Sequence, residues 1–352
     1  MSETRRWQKR PEGSTWGDFG SDDEKGRLNL LTPQKVLEGV AEVRAGKAFC
    51  LSLPLDYPGG NVLNPRRHPP VLRPTIRGNG APNLNYVMAT EDPLLTDVIN
   101  DDVAILHLQY STQWDSLAHV GQLFDADGDG TPEPVYYNGY KPGLDIVGPT
   151  ASKDAGGTGM VEAKSTSYAQ KLGVQNMAEA CMQGRGVMID LAAHFGRDKK
   201  VVGYDDLMRV MDKDKVEVQP GDMVCLHTSF SEIILEMGKS PDGPRLANSC
   251  SALDGRDARL LQWITDSGLV ALIADNYAVE AHPALHQGGC CPSLPLHAHC
   301  LFKLGVNLGE IWHLTPLAKW LRQEKRSRFL LTAPPLRLPG AVGSPATPIA
   351  TV

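Results

Sequence analysis

Residues 184–228 read GRGVMIDLAAHFGRDKKVVGYDDLMRVMDKDKVEVQPGDMVCLHT, and this run decides the fold class. Its two ends, 187–191 and 223–228, are short apolar runs rich in Val, Ile and Met, and they read as buried strands. Between them the spacing predicts a helix around 204–211. The alternation continues downstream. Leu260, Leu261 and Ile264 make a helical stripe that stops near Gly268, and LVALIAD (269–275) reads as the next strand. Strands alternating with helices define an α/β protein. Upstream, VAILHLQY (103–110) is a further strand candidate. Thr32-Pro33 and Thr315-Pro316 each set an N-cap residue before a proline, so helices are expected to begin there. In the first of these, Val36, Leu37, Val40 and Val43 share one face. No internal repeat or interdomain linker interrupts the chain. One domain with mixed strand order is expected over 1–352. It would carry a polar, Gly-rich arm over 1–30 and a Pro-rich tail over 332–352, the tail packing on the surface or on a neighbouring subunit.

Composition narrows the classes. The 352 residues carry 35 Lys plus Arg against 41 Asp plus Glu, a formal charge of −6. That balance gives no electrostatic reason to expect nucleic acid or an anionic membrane as partner. No apolar run approaches the roughly 20 residues of a membrane helix. The first residues, MSETRRWQKRPEGSTW, are basic without an apolar run behind them, unlike a secretory signal. Seven cysteines without a C-x-x-C read as free thiols in a reducing compartment, so a cytoplasmic location is expected.

Several common catalytic signatures are missing: G-x-S-x-G, H-E-x-x-H, the P-loop and a strand-associated G-x-G-x-x-G. Asp125, Asp127 and Asp129 imitate the start of a calcium loop. The twelfth position, however, is Tyr136 where a bidentate Glu is needed, so a polar surface turn is the better reading.

Metal-capable side chains concentrate in two segments. Gln109-Tyr-Ser-Thr-Gln113-Trp-Asp115-Ser-Leu-Ala-His119 is the first, and in extended backbone Gln113 and Asp115 point to the same side. A turn is then needed to bring His119 round. The second holds His297, His299 and, thirteen residues beyond His297, Glu310. Spacing alone assigns that second segment no geometry. A lone histidine among apolar residues is more often a satisfied core group, and Asp115 could equally cap a turn.

A series of motifs, none specific by itself, gains weight from its order. These are WGDFGSDDEKGRLNLLTP (16–33), STQWDSLAHVG (111–121), YYNG (136–139) and GRGVMIDL (184–191). GDMVCLHT (221–228), ADNYAVEAHP (274–283), LGEIWHL (308–314) and FLLTAPPLRLPGAVGSP (329–345) complete it. Together they resemble the long-form members of the cyclase family of metal-dependent hydrolases, which includes bacterial kynurenine formamidases, isatin hydrolase and a trans-dienelactone hydrolase. The resemblance implies a swivelling β/β/α fold, a homo-oligomer (dimer or tetramer), and a divalent metal at H-x-x-x-H-x-D-x-x-x-H completed by a later His and Glu. On that pattern Asp115 falls on the metal-binding aspartate and His119 on the catalytic histidine. Glu310 falls on the distal glutamate, and His297, with His299 as runner-up, on the distal histidine. Gln109 and Gln113 stand where the pattern has its first two histidines. Gln113 is usual in the long group and can ligate through its amide oxygen. Since those two histidines serve the second ion of dinuclear members, one ion is expected here.

Two carboxylates and one imidazole suit Mn²⁺ or Zn²⁺. The implied chemistry is attack of activated water on a carbon–nitrogen or ester bond of a small cyclic amide, imide, lactone or aryl formamide. His119 would take and return the proton. Trp16 and Trp114 are either substrate-stacking or core residues. Asp190 ends one strand and Asp275 another, where α/β folds place functional groups, although Asp275 could equally be a cap. His282 and His286 could line a pocket mouth. The competing expectations are a cyclase or dehydratase using the same metal, and a binding protein that has lost catalysis, the latter motivated by the two glutamines.

Overall fold

The computed structural model describes residues 5–151, 155–156, 165–284, 288–289 and 291–352. Four strands from the alternating half of the chain, β3 (Gln183–Asp190), β4 (Met223–His227), β5 (Ala271–Ala274) and β6 (Asn307–Glu310), pair parallel in that order. Their side chains are almost all buried, as expected of parallel strands covered on both faces. Antiparallel strands flank them on either side. Beyond β3 lie β7 (Arg328–Thr332), β9 (Ile349–Thr351) and β1 (Ala48–Cys50). Beyond β6 lie β2 (Gln113–Asp115) and then β8 (Gly343–Pro345). The result is a nine-stranded mixed sheet in a single α/β domain, as the alternation predicts.

Helix α1 (Pro33–Val40) precedes the first strand, and α2 (Tyr204–Asp214), α3 (Phe230–Glu236), α4 (Ala258–Ser267) and α5 (Thr315–Gln323) join the later ones. Between α4 and α5, residues 295–304 form a further helix whose second part, Ala298–Leu304, is wound as a π-helix. No helix among the described residues is long and apolar enough to cross a membrane.

Several local expectations need correction. The run 103–110 is not a sheet strand. It stays extended only through Asp102–Ile105, which pairs with Val71–Pro74 in an exposed two-stranded ribbon, and the central sheet is entered at Gln113. Thr32 does cap α1, but Leu37 and Val40 are exposed. The helix lies on β3 through Gly39, where a Cβ would come within 2.8 Å of the Gly184 backbone, so contact is made by the smallest residue and not by the aliphatic stripe. Thr315 does not cap α5 with its hydroxyl, which bonds the His227 ring. The Pro-rich tail is not a surface appendage, because it supplies both β8 and β9 to the sheet.

The YYNG motif is an anchor. The Asn138 amide donates to the carbonyls of Gly20, Ser21 and Asp23, and its oxygen accepts from Gly17 N–H. That pins the N-terminal arm to the core, where Trp7 and Trp16 are buried.

Candidate metal centre

The register of β2 against β6 builds the site. Glu310 lies directly opposite Gln113, and Asp115 is two residues further along β2. Period-2 alternation therefore turns Gln113, Asp115 and Glu310 to one side of the sheet and Trp114 to the other. The Gln113 amide donates to Glu310 Oε2 at 2.9 Å, which ties the two strands' side chains together.

His297 reaches the same spot from the N-terminal end of the 295–304 helix. Its Nε2 lies 3.2 Å from Glu310 Oε1 and 3.8 Å from Asp115 Oδ2. Ligand-capable atoms of Asp115, His297 and Glu310 all fall within 4.8 Å of one another, and all three residues are buried. His119 stands at the edge of the cluster, half-buried, with Nε2 4.0 Å from Asp115 Oδ1. A backbone bond from His119 N–H to the Ser116 carbonyl forms the turn that brings its ring round. Gln109 donates to Asp115 Oδ1.

The spacing of the second segment left two histidines open, and the fold separates them. His299 points away, bonds the Thr265 hydroxyl at 2.9 Å, and burial drives its ring down to about 4.

Glu280 is the residue that sequence reasoning missed. Fully buried, it bonds His297 Nδ1 at 2.8 Å and accepts the N–H groups of Leu296 and His297. It therefore holds the imidazole with Nε2 turned toward Asp115 and Glu310, the usual support of a metal-ligating histidine. Gly255 makes room for it, since a Cβ there would lie 2.2 Å from Glu280 Oε2. The residue was visible in ADNYAVEAHP, but nothing in that motif ties it to a histidine 17 residues later. A second missed contributor is Gly343 on β8. A Cβ at that position would come within 2.4 Å of Gln109 Cγ, so the C-terminal tail shapes this site.

The electrostatics call for a cation. Asp115, Glu280 and Glu310 are three buried carboxylates around one imidazole, and buried charge is costly unless paired. Burial alone would lower the pKa of His297. The bonds to Glu280 and Glu310 and the nearby Asp115 charge outweigh it and push the ring up to about 10. Two buried oxygens of these residues, Asp115 Oδ2 and Gln113 Oε1, have no hydrogen-bond partner. An orphaned carboxylate oxygen and an orphaned amide oxygen beside an imidazole form the donor set of a divalent-ion site.

Both tryptophans are core residues with no ring face left for a substrate. Trp16 is fully buried, donates Nε1–H to the Phe302 carbonyl and meets Trp7, Phe124 and Phe302 edge-on. Trp114 is equally buried, donates to the Ala333 carbonyl and packs on Trp312. Asp275 is fully buried and accepts from the Thr228 and Ser229 N–H groups and the Thr228 hydroxyl just before α3. Asp190 pairs with His227 and Arg322. Asp125, Asp127 and Asp129 accept N–H groups within their own turn, and Lys9 pairs with Asp125. His282 lines a cavity of about 220 Å³ together with Val62, Leu63, Phe230, Tyr277 and Glu280. His286 lies outside the described residues.

Comparison with known proteins gives the family and the fold. The family model described as "Putative cyclase" matches residues 51–281, so the chain belongs to that cyclase family. A solved structure described as a novel cyclase is 30% identical over 96% of this chain and 97% of its own, with a TM-score of 0.71. The fold is also that of isatin hydrolases. The enzyme from Labrenzia aggregata, bound to benzyl benzoate, is 14% identical over 91% of this chain and 98% of its own, with a TM-score of 0.53. Isatin hydrolase A from Ralstonia solanacearum is 14% identical over 91% and 97%, with a TM-score of 0.52. No curated protein matches the sequence.

Proposed function

We propose that this protein is a metal-dependent hydrolase of a small cyclic amide, imide, lactone or aryl formamide. Asp115, His297 and Glu310 would hold one Mn²⁺ or Zn²⁺, with the Gln113 amide oxygen beside them. The observation that carries the reading is the convergence of these three side chains, whose ligand atoms lie within 4.8 Å of one another and include a buried Asp115 oxygen without a partner. A divalent ion bound there supplies a Lewis acid for a carbonyl oxygen and acidifies water.

The chain's own residues do the rest. Glu280 fixes the His297 tautomer by accepting from Nδ1, and Gln109 orients Asp115. His119 is the proton carrier: its ring borders the cluster yet keeps contact with solvent, so it can take a proton from the attacking water and return it to the leaving nitrogen or oxygen.

The test is elemental analysis of the purified protein, coupled to a screen of lactones, isatin-like imides and N-formyl aryl amines in oxygen-18 water. Near-stoichiometric metal that Asp115→Ala abolishes, with label in the product, is expected. Metal below about a tenth of an equivalent under gentle purification would leave the reading without its central ligand set. Turnover without label would point to cyclase or dehydratase chemistry instead.

A further inference from the structure

Cations gather at one place where the proposed chemistry makes no use of them. Beside the C-terminal end of β3 lies a cleft of about 390 Å³, within the size range of small-molecule sites. Helices α2 and α5 both end at it. Five cations line it, Lys213, Lys215, Arg322, Lys325 and Arg326, against two carboxylates, in a chain whose formal charge is −6. Both carboxylates are already satisfied. Arg322 donates to Asp190 at 2.8 Å and to Asp214 at 3.0 Å, and the rings of His227 and His194 bond the same two groups. Arg326 pairs with Glu42. Three lysines are left over: among the described residues, Lys213, Lys215 and Lys325 make no ion pair.

Helix polarity explains only part of this cluster. A cation in the last turn offsets the negative end of a helix dipole, and Lys213 in α2 and Arg322 in α5 fill that role. Lys215 and Lys325 lie just beyond those ends, each with φ 53°, in the left-handed region where glycine is the usual residue. Each helix thus ends with a surplus lysine on the same cleft, at a position whose backbone disfavours a side chain.

The geometry points to a binding site in this cleft for a small phosphate-bearing molecule. The guanidinium forks, which match a planar carboxylate, are spent on Asp190, Asp214 and Glu42. The free ammonium groups act as point charges, which suit the several oxygens of a phosphate. A phosphomonoester carries close to two negative charges above neutral pH, and the lysines can meet it without breaking an existing ion pair. No residue of the cleft belongs to the candidate metal centre, so the site stands or falls apart from the hydrolase reading.

The experiment is calorimetric titration of the full metal-loaded chain with phenyl phosphate at about pH 8 and about 150 mM salt, which screens exposed charges beyond about 8 Å. Saturable one-to-one binding is expected, with a dissociation constant below about 100 µM. Phthalate, a dicarboxylate of the same charge, should bind at least about tenfold more weakly. Lys215→Gln/Lys325→Gln should weaken phenyl phosphate at least about tenfold, through two lost charged hydrogen bonds. Lys319→Gln, an exposed site on α5 outside the cleft, should not. Protein stripped of metal by a chelator should bind phenyl phosphate as the loaded protein does. Four results overturn the inference: no saturable binding by about 5 mM, phthalate bound as tightly, an equal loss in Lys319→Gln, or binding that requires the metal. The lysines are exposed, so circular dichroism of the double variant should be unchanged. A partly unfolded double variant is replaced by Lys213→Gln, for which the same outcomes decide.

Discussion

Metal binding by this protein must displace a proton, and the size of the effect follows from one residue. In the ion-free protein the His297 imidazole is held between Glu280, Glu310 and Asp115, and those carboxylates push its pKa up to about 10 against an ordinary 6.5. A cation that takes Nε2 competes with that proton at every pH below about 10. Each unit of acidification then weakens apparent affinity about tenfold, or about 1.4 kcal/mol, so moving from pH 8 to pH 6 costs about 100-fold. Calorimetric titration with Zn²⁺ or Mn²⁺ in buffers of different ionisation enthalpy measures both slope and stoichiometry, and close to one proton per ion is expected. The ion-free protein should show the opposite trend. Because the folded pKa lies above the unfolded one, protonation of His297 stabilises the fold fully below about pH 6.5, and the benefit is lost as pH rises through about 10. Thermal melts of chelated protein should therefore fall from neutral to alkaline pH while metal affinity climbs. An affinity independent of pH, with no proton released, would refute the assignment of His297 as a ligand.

Three further outcomes follow from the same geometry. His119→Ala should keep its metal by elemental analysis while turnover falls by about 10²- to 10⁴-fold, because the ring lies at the edge of the ligand cluster and acts on protons. Gly255→Ala puts a Cβ 2.2 Å from Glu280 Oε2. It should lower metal affinity by about 10- to 100-fold through misorientation of His297, read by competition with a chelating dye, with far-UV circular dichroism unchanged. Trp114→Ala should cost about 3–5 kcal/mol in a denaturant melt, as expected for a fully buried aromatic, and the milder Trp114→Phe should leave KM unmoved.

Much of this protein was legible before folding is considered. The strand–helix alternation from residue 184 onward rests on local periodicity, and β3, β4 and β5 arise where apolar runs are bounded by turn residues. Asp115, Glu310 and the histidines could be singled out because ordered motifs resemble a family's. The errors share one cause. The run 103–110 has strand composition, but composition does not say which edge a strand joins, and it pairs in an outer ribbon. Trp16 and Trp114 carry chemistry suited to stacking on a ring or filling a core, and only the packing around them shows which.

The sequence by itself determined an α/β chain carrying a cation's worth of carboxylates and imidazoles. It could do so because periodicity and residue chemistry are local properties. Tertiary structure alone decided that His297 and not His299 faces Asp115, because two positions along a helix turn a side chain by about 200°. Only the fold, likewise, could reveal Glu280 as the support of His297 and the tail's Gly343 as the room Gln109 needs. The register of β2 with β6 and β8 brings Glu310 and Gly343 beside the 113–115 segment, where spacing in the sequence cannot.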